Sequence, residues 1–205
     1  MSADTYDIDR RCAEELGVPL DRGALFYAAP AGLRFELSQD GGTRTQKFSR
    51  ALQRAVPLLD AAFGTGRPVW LDLALPCAAP REPVAQLLAP LAACGLTPPK
   101  RYQRRDEYEA ARERQVTRIA FKTQSGGADV HAALWAALSH DLGVTPTARV
   151  DAYVLDFERR LVAYPYDDRG MDIVAPDPAP LRALHAQFGE WILDYDRARI
   201  DAQFA

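Results

Sequence analysis

The fold of this chain is decided by the stretch Tyr-Asp-Asp-Arg-Gly-Met-Asp at residues 166–172. Apolar residues precede it at 161–162 and follow it at 173–174, as expected of two strands that a tight turn joins. Asp167 suits the first position of such a turn and Gly170 the last. The C-terminal third of the chain is therefore predicted to be a meander of adjacent strands.

A closing amphipathic helix is predicted after this meander. Asp177 offers an N-cap, and Pro178 fits the first helical position because it needs no backbone donor there. Apolar side chains then recur at helical spacing and predict the buried face: Leu181, Leu184, Phe188, Trp191, Ile192 and Tyr195.

Helices and strands alternate in the first two thirds of the chain. The expected helices lie near residues 6–16, 43–59, 84–94 and 130–142, and the expected strands at 24–28, 33–37, 69–75 and 116–123. Thr43 and Gln46 form a capping box, and Pro57 predicts a kink or break near Val56. The segments 24–28 and 33–37 are read as a β-hairpin.

Two of these strands carry charge at positions that need an explanation. Asp72 lies in an otherwise apolar strand, where its carboxylate is expected to reach solvent or an arginine and could instead be a functional acid. Arg118 and Lys122 alternate with Ile119 and Phe121, which predicts a half-buried strand with the two cations on its polar face.

The elements together predict an α+β domain with a mixed, largely antiparallel sheet that helices cover. The 205 residues are interpreted as one domain, 1–205, with an N-terminal helical appendage at 1–22 and an exposed insertion at 97–115. A net charge of -3 is too small to indicate a nucleic-acid or membrane partner. An acidic N-terminus without a signal peptide or membrane span predicts a bacterial cytoplasmic protein.

No catalytic residue, metal ligand or cofactor is predicted. The three cysteines, Cys12, Cys77 and Cys94, form no paired motif, and the histidines lack metal-ligand spacing. A cluster of acids stands out in the C-terminal part: Asp151, Asp156, Asp167, Asp168 and Asp172. These could belong to a structural turn with an Arg169 ion pair, to a partner surface, or to a magnesium or manganese site.

The basic segment 100–105 places Tyr102 among cations, a combination that suits phosphate contact and base stacking. Acids at Asp106, Glu107 and Glu109 follow directly, which favours a solvated surface over nucleic-acid binding.

The chain resembles an uncharacterised bacterial family of domains of unknown function in three blocks, at residues 33–37, 164–172 and 191–197. The first twenty residues and the basic insertion are placed outside this resemblance. It implies a fold but no catalytic residues.

The leading hypothesis is a non-enzymatic protein-binding protein, specifically an immunity protein that neutralises a toxin of bacterial competition. Its partner-binding residues are predicted to be Tyr166, Asp167, Asp168, Arg169 and Asp172, because an exposed turn can present charge and an aromatic ring. The alternatives are a metal-dependent phosphoryl hydrolase that uses the aspartates, and nucleic-acid binding through the segment 100–105.

Overall fold

The computed structural model describes residues 8–18, 20, 25–97, 99–109 and 112–205. Seven strands in these residues form one sheet in the order β1-β7-β6-β5-β2-β4-β3. The strands are β1 (Ala31–Glu36), β2 (Pro68–Pro76), β3 (Gln103–Glu109), β4 (Arg114–Gln124), β5 (Asp151–Asp156), β6 (Leu161–Asp167) and β7 (Gly170–Ala175). The predicted α+β class and C-terminal meander are confirmed. Every neighbouring pair is antiparallel, so the described strands contain no parallel pair of the kind that the predicted mixed sheet included.

Seven α-helices accompany this sheet in the described residues. They are α1 (Ile8–Arg11), α2 (Leu25–Ala28), α3 (Arg44–Phe63), α4 (Val84–Ala93), α5 (Ala128–Ser139), α6 (Arg182–Phe188) and α7 (Arg197–Asp201). A wider π-helical turn, Cys12–Leu16, continues α1 and ends at Gly17, as predicted. None of the helices in the described ranges is long and apolar enough to cross a membrane.

The predicted capping box begins α3. The Thr43 hydroxyl accepts from the Gln46 amide at 3.3 Å, and the Gln46 side chain accepts from the Thr43 amide at 2.8 Å. The helix then runs through Pro57 to Phe63 without the predicted break. Its stripe of buried side chains continues on both sides of Pro57, and this packing outweighs one missing backbone hydrogen bond.

The predicted hairpin of 24–28 and 33–37 is wrong. Residues 25–28 form α2, and β1 pairs instead with β7, which lies far away in the sequence. Leu33 and Ile173 stand opposite each other in this register, and both are fully buried. A distant strand that buries both apolar faces stabilises β1 more than a local hairpin would. Position 24 of this prediction lies outside the described residues.

The two faces of the sheet differ in what covers them. Helices α3 to α6 pack on the first face and enclose the main apolar core. The N-terminal segment covers part of the second face, where Ile8, Cys12 and Leu16 pack in one cluster with Tyr153 and Tyr164 of the sheet. The predicted helical appendage is thus helical at 8–16 and contributes to the core, while 1–7, 19 and 21–22 lie outside the described residues.

Two further expectations need correction. The segment 97–115, interpreted as an exposed insertion or helix, contains β3, an edge strand that pairs with β4 along its whole length. The predicted closing helix is confirmed, but it ends at Phe188 and is followed by short turns and α7. Tyr195, expected on the buried face, is therefore 87% exposed, because the chain changes direction before reaching it.

Candidate functional site

The turn between β6 and β7 is held by its own charges. Asp167 accepts hydrogen bonds from the Arg169 amide at 2.8 Å and from Arg169 Nε at 2.9 Å. Gly170 is required because a Cβ at this position would lie 1.8 Å from the Tyr166 hydroxyl oxygen and 2.9 Å from the Phe35 carbonyl oxygen. Asp167 and Asp168 are each 6% exposed, whereas the Arg169 side chain is 78% exposed. Only Arg169 therefore extends outward from this turn.

Asp172 lies fully buried on the second face of the sheet. Its carboxylate accepts from the Phe26 amide at 3.0 Å, and Arg34 Nε lies 3.2 Å from its other oxygen. Burial raises the pKa of Asp172 to about 6, although the charge of Arg34 acts in the opposite direction. Tyr166 is half-buried beneath the same Arg34 guanidinium. The partner-binding set stays a prediction, and a partner would reach Arg169 before any other member of it.

A second buried ion pair occupies the middle of the same face. Arg118 Nε donates to Asp72 at 3.0 Å, and Arg118 Nη2 contacts the same carboxylate oxygen. Arg105 approaches the other Asp72 oxygen at 3.5 Å. Asp72 has thus reached an arginine, one of the two structural explanations that its position predicted. Arg118, expected on a partly solvated face, is buried because the N-terminal segment covers it.

The remaining acids do not converge on one point. Asp151 contacts Arg112 at 2.6 Å and accepts from the Tyr164 hydroxyl at 2.8 Å. Asp156, at the other end of β5, is separated from Asp151 by about 17 Å at the usual rise per residue. No group of three potential ligands that could hold a metal ion is found among the described residues. The phosphoryl-hydrolase hypothesis therefore draws no support from these positions.

One histidine and two of the thiols have packing environments that explain them. His185 Nε2 lies 2.8 Å from Asp201, and its ring stacks on Phe204. Burial raises the pKa of the Cys12 and Cys94 thiols, which opposes thiolate formation.

A cavity of about 800 Å³ lies at the edge of the sheet where β3 begins. The pairing of β3 with β4 starts at Gln103 opposite Ala120, so β4 projects beyond β3 and leaves a notch. Three cations, Lys100, Arg101 and Lys122, line the notch together with the aromatic residues Trp70 and Tyr102, and the buried Phe121 also borders it. We call this group the cationic notch.

The cations of the notch lack the carboxylate partners that Arg34, Arg104 and Arg118 have among the described residues. Lys100 and Arg101 are exposed and form no ion pair with a described residue. Lys122 lies 5.4 Å from the ring centroid of Trp70, an aromatic contact that leaves its charge unneutralised. Asp129 also lines the cavity, but its two oxygens already accept from the Thr97 amide and the Thr123 hydroxyl, each at 3.0 Å.

The structure divides the basic segment that the sequence singled out. Residues 100–102 line the notch, whereas Arg104 donates to Asp106 and to the Glu82 carbonyl, and Arg105 contacts Asp9 at 2.9 Å. Trp70 was missed as a site residue. No pattern in the sequence points to it, because the register of β2 with β4 sets Trp70 directly opposite Lys122.

Comparison with protein families gives one result. A domain of unknown function, DUF3885, matches residues 12–196. The chain belongs to the DUF3885 family. The DUF3885 match includes residues 97–115 and begins at Cys12, so the limits that the sequence resemblance suggested were too narrow. No curated protein and no solved structure matches the chain.

Proposed function

We propose that this DUF3885 protein binds nucleotide units through the cationic notch. The observation that carries the proposal is one cavity that combines the rings of Trp70 and Tyr102 with three cations that form no ion pair with a described residue. Phosphate groups require cations, and bases require flat apolar faces on which to stack. The proposed binding residues are therefore 100–102 together with Trp70 and Lys122, in place of the whole segment 100–105.

The size and charge of the cavity support this class of ligand. A volume of about 800 Å³ lies in the range of small-ligand sites. The notch has three cations against the single carboxylate of Asp129, whereas the whole chain has a net charge of -3. A local excess of positive charge on an acidic protein attracts an anion to this place in particular.

The ligand chemistry is shared by free nucleotides and by single-stranded nucleic acid. Both should be titrated, mononucleotides by calorimetry and dye-labelled single strands of DNA or RNA by fluorescence anisotropy. The double variant Lys100→Ala/Arg101→Ala is expected to weaken binding by about tenfold or more and to reduce its salt dependence. For single strands, the logarithm of the association constant should fall linearly with the logarithm of the salt concentration. The slope should be about -0.7 for each phosphate that the protein contacts.

The double variant Arg44→Ala/Arg149→Ala is the matched control, because it removes two exposed arginines that do not line the notch. It should bind like the wild-type protein. The proposal is wrong if neither free nucleotides nor single strands bind at low salt, or if both double variants bind equally well.

Protein binding is the second candidate function, favoured by the free edge of β3. This strand is the last in the sheet, no described strand pairs with its outer side, and Tyr108 on it is exposed. An extended segment of a partner can add to such an edge. This candidate retains the hypothesis of a cytoplasmic immunity protein that neutralises a toxin.

Co-purification with the product of a neighbouring toxin-like gene tests this second candidate. Tyr108→Lys should weaken the complex if the edge of β3 binds the partner, and Arg169→Glu should weaken it if the turn does. A complex that resists both changes would remove both surfaces from consideration, and the absence of any complex would remove this toxin as the partner.

A further inference from the structure

A smaller cavity of about 160 Å³ adjoins the cationic notch. Trp70 and Lys122 line both cavities, so they form the junction between them. The smaller cavity lies where β2 begins and β5 ends, and its other walls include Arg11, Leu155 and Phe157.

The sheet register explains why these side chains form a continuous surface. Trp70 of β2 stands opposite Lys122 of β4 on one side and opposite Leu155 of β5 on the other. Residues in one such row point to the same face, and neighbouring strands lie about 4.8 Å apart. The row from Lys122 to Leu155 therefore spans about 10 Å, and Phe157 follows in the turn after β5.

We infer that the two cavities are one groove and that its ligand is a single strand of at least two nucleotides. This inference rests on the proposed function and specifies its ligand class. Tyr102 and Trp70 line the notch, and Phe157 lines the smaller cavity with the Arg11 guanidinium over one face of its ring. Lys122 at the junction supplies the cation that the phosphate between two bases requires.

The charges of the smaller cavity favour a base over a phosphate there. Glu158 contacts Arg67 at 2.9 Å, and Asp156 accepts from the backbone amides of Glu158 and Arg159, each at 2.9 Å. Arg11 contacts Glu15 at 2.6 Å, and its guanidinium lies 3.7 Å from the centroid of the Phe157 ring. These contacts leave the smaller cavity without the excess positive charge of the notch.

The volume of the smaller cavity agrees with this assignment. A space of 160 Å³ equals about five water molecules at about 30 Å³ each. It can take a single pyrimidine ring but not a whole nucleotide with its sugar and phosphate. The notch, which is several times larger, can take the complete neighbouring nucleotide.

A length series of oligothymidylates tests the groove. Thymidine monophosphate, the dinucleotide and the trinucleotide should be titrated against the protein by calorimetry. The dinucleotide is expected to bind about tenfold more tightly than the mononucleotide, because a second base finds a stacking surface. Phe157→Leu should abolish this increase and leave the affinity for the mononucleotide unchanged.

Phe204→Leu is the control, because Phe204 is also half-buried but lines neither cavity. It should retain the full increase from mononucleotide to dinucleotide. Equal affinity for one and two nucleotides, or an increase that survives Phe157→Leu, overturns the groove and leaves the proposed function intact. Failure of every length to bind overturns the proposed function and the groove with it.

Discussion

The second face of the sheet and the cationic notch contain the same kinds of side chain in opposite situations. On the face, Arg118 is buried against Asp72, and Arg34 lies against Asp172. At the notch, Lys100 and Arg101 are exposed and form no ion pair with a described residue. The type of residue therefore does not distinguish a structural cation from a ligand-binding one. The distinction is whether a carboxylate of the protein already compensates the charge.

Coverage by the N-terminal segment explains the difference. Ile8, Cys12 and Leu16 pack over the second face and exclude water, so charges beneath them need partners within the protein. The notch lies at the edge of the sheet beside the first residue of β3, where water can solvate its cations. Removing one partner of an ion pair on the second face should therefore lower the free energy of unfolding strongly. Removing a cation at the notch should change it little.

The largest expected effect comes from breaking the central pair on the face. Asp72→Ala leaves Arg118 buried without its main counter-ion, and we expect the free energy of unfolding to fall by about 3–5 kcal/mol. The apolar double variant Asp72→Leu/Arg118→Met should recover much of this loss, because it leaves no charge unpaired. Urea denaturation measures both. A loss below about 1 kcal/mol for Asp72→Ala would show that this pair is not sealed from water.

A pH dependence is the next effect in size. The pKa of Asp172 is raised to about 6 from its ordinary value of 3.8, so the folded state binds more protons than the unfolded state between these values. Its contribution to stability must then decrease as pH rises from about 4 to 7, by up to about 3 kcal/mol. Denaturation curves of wild type and Asp172→Asn should diverge over this interval. Parallel pH profiles would contradict the raised pKa.

A smaller loss is expected from Gly170→Ala in the turn beside this buried region. The new methyl group would collide with the Tyr166 ring and the Phe35 carbonyl oxygen, so stability should fall by about 2 kcal/mol. Gly189→Ala is the matched control, since nothing lies within 4 Å of the added Cβ. Thermal denaturation should separate the two variants, and equal melting temperatures would mean that Tyr166 moves aside without cost.

The smallest effect on stability is expected at the notch. Lys100→Ala/Arg101→Ala should change the free energy of unfolding by less than about 0.5 kcal/mol, because neither cation forms an ion pair with a described residue. The same variant is expected to lose ligand affinity, so at the notch binding should change while stability does not. A loss of stability comparable to that of Asp72→Ala would show that these cations stabilise the fold, and the two regions would then not differ in this respect.

Local features of the fold were predictable because few residues specify them. The capping box of Thr43 and Gln46 depends on contacts within one helical turn. The Asp177 carboxylate accepts from the Ala179 amide two residues later, at 3.0 Å. The turn at 167–170 likewise follows from the side chains within it.

The candidate site was only partly predictable. Lys100, Arg101 and Tyr102 were selected from composition, but Arg104 and Arg105 were grouped with them although both contact acids of the protein. Trp70 could not be selected, because its place beside Lys122 depends on the pairing of strands about fifty residues apart. Asp172 was predicted to be among the exposed partner-binding residues. Nothing near it in the sequence indicates that α2 packs on it or that β1 pairs beside it.

The residue pattern alone predicted the α+β class, the capping box of α3 and the turn between the last two strands. These properties arise from backbone geometry and from neighbours within a few residues. Contacts between distant segments establish that β1 pairs with β7, that the N-terminal segment covers part of the second face, and that three cations at the edge form no ion pair with a described residue. Burial and pairing of charge depend on contacts between distant segments, and the pattern of residues along the chain does not specify those distances.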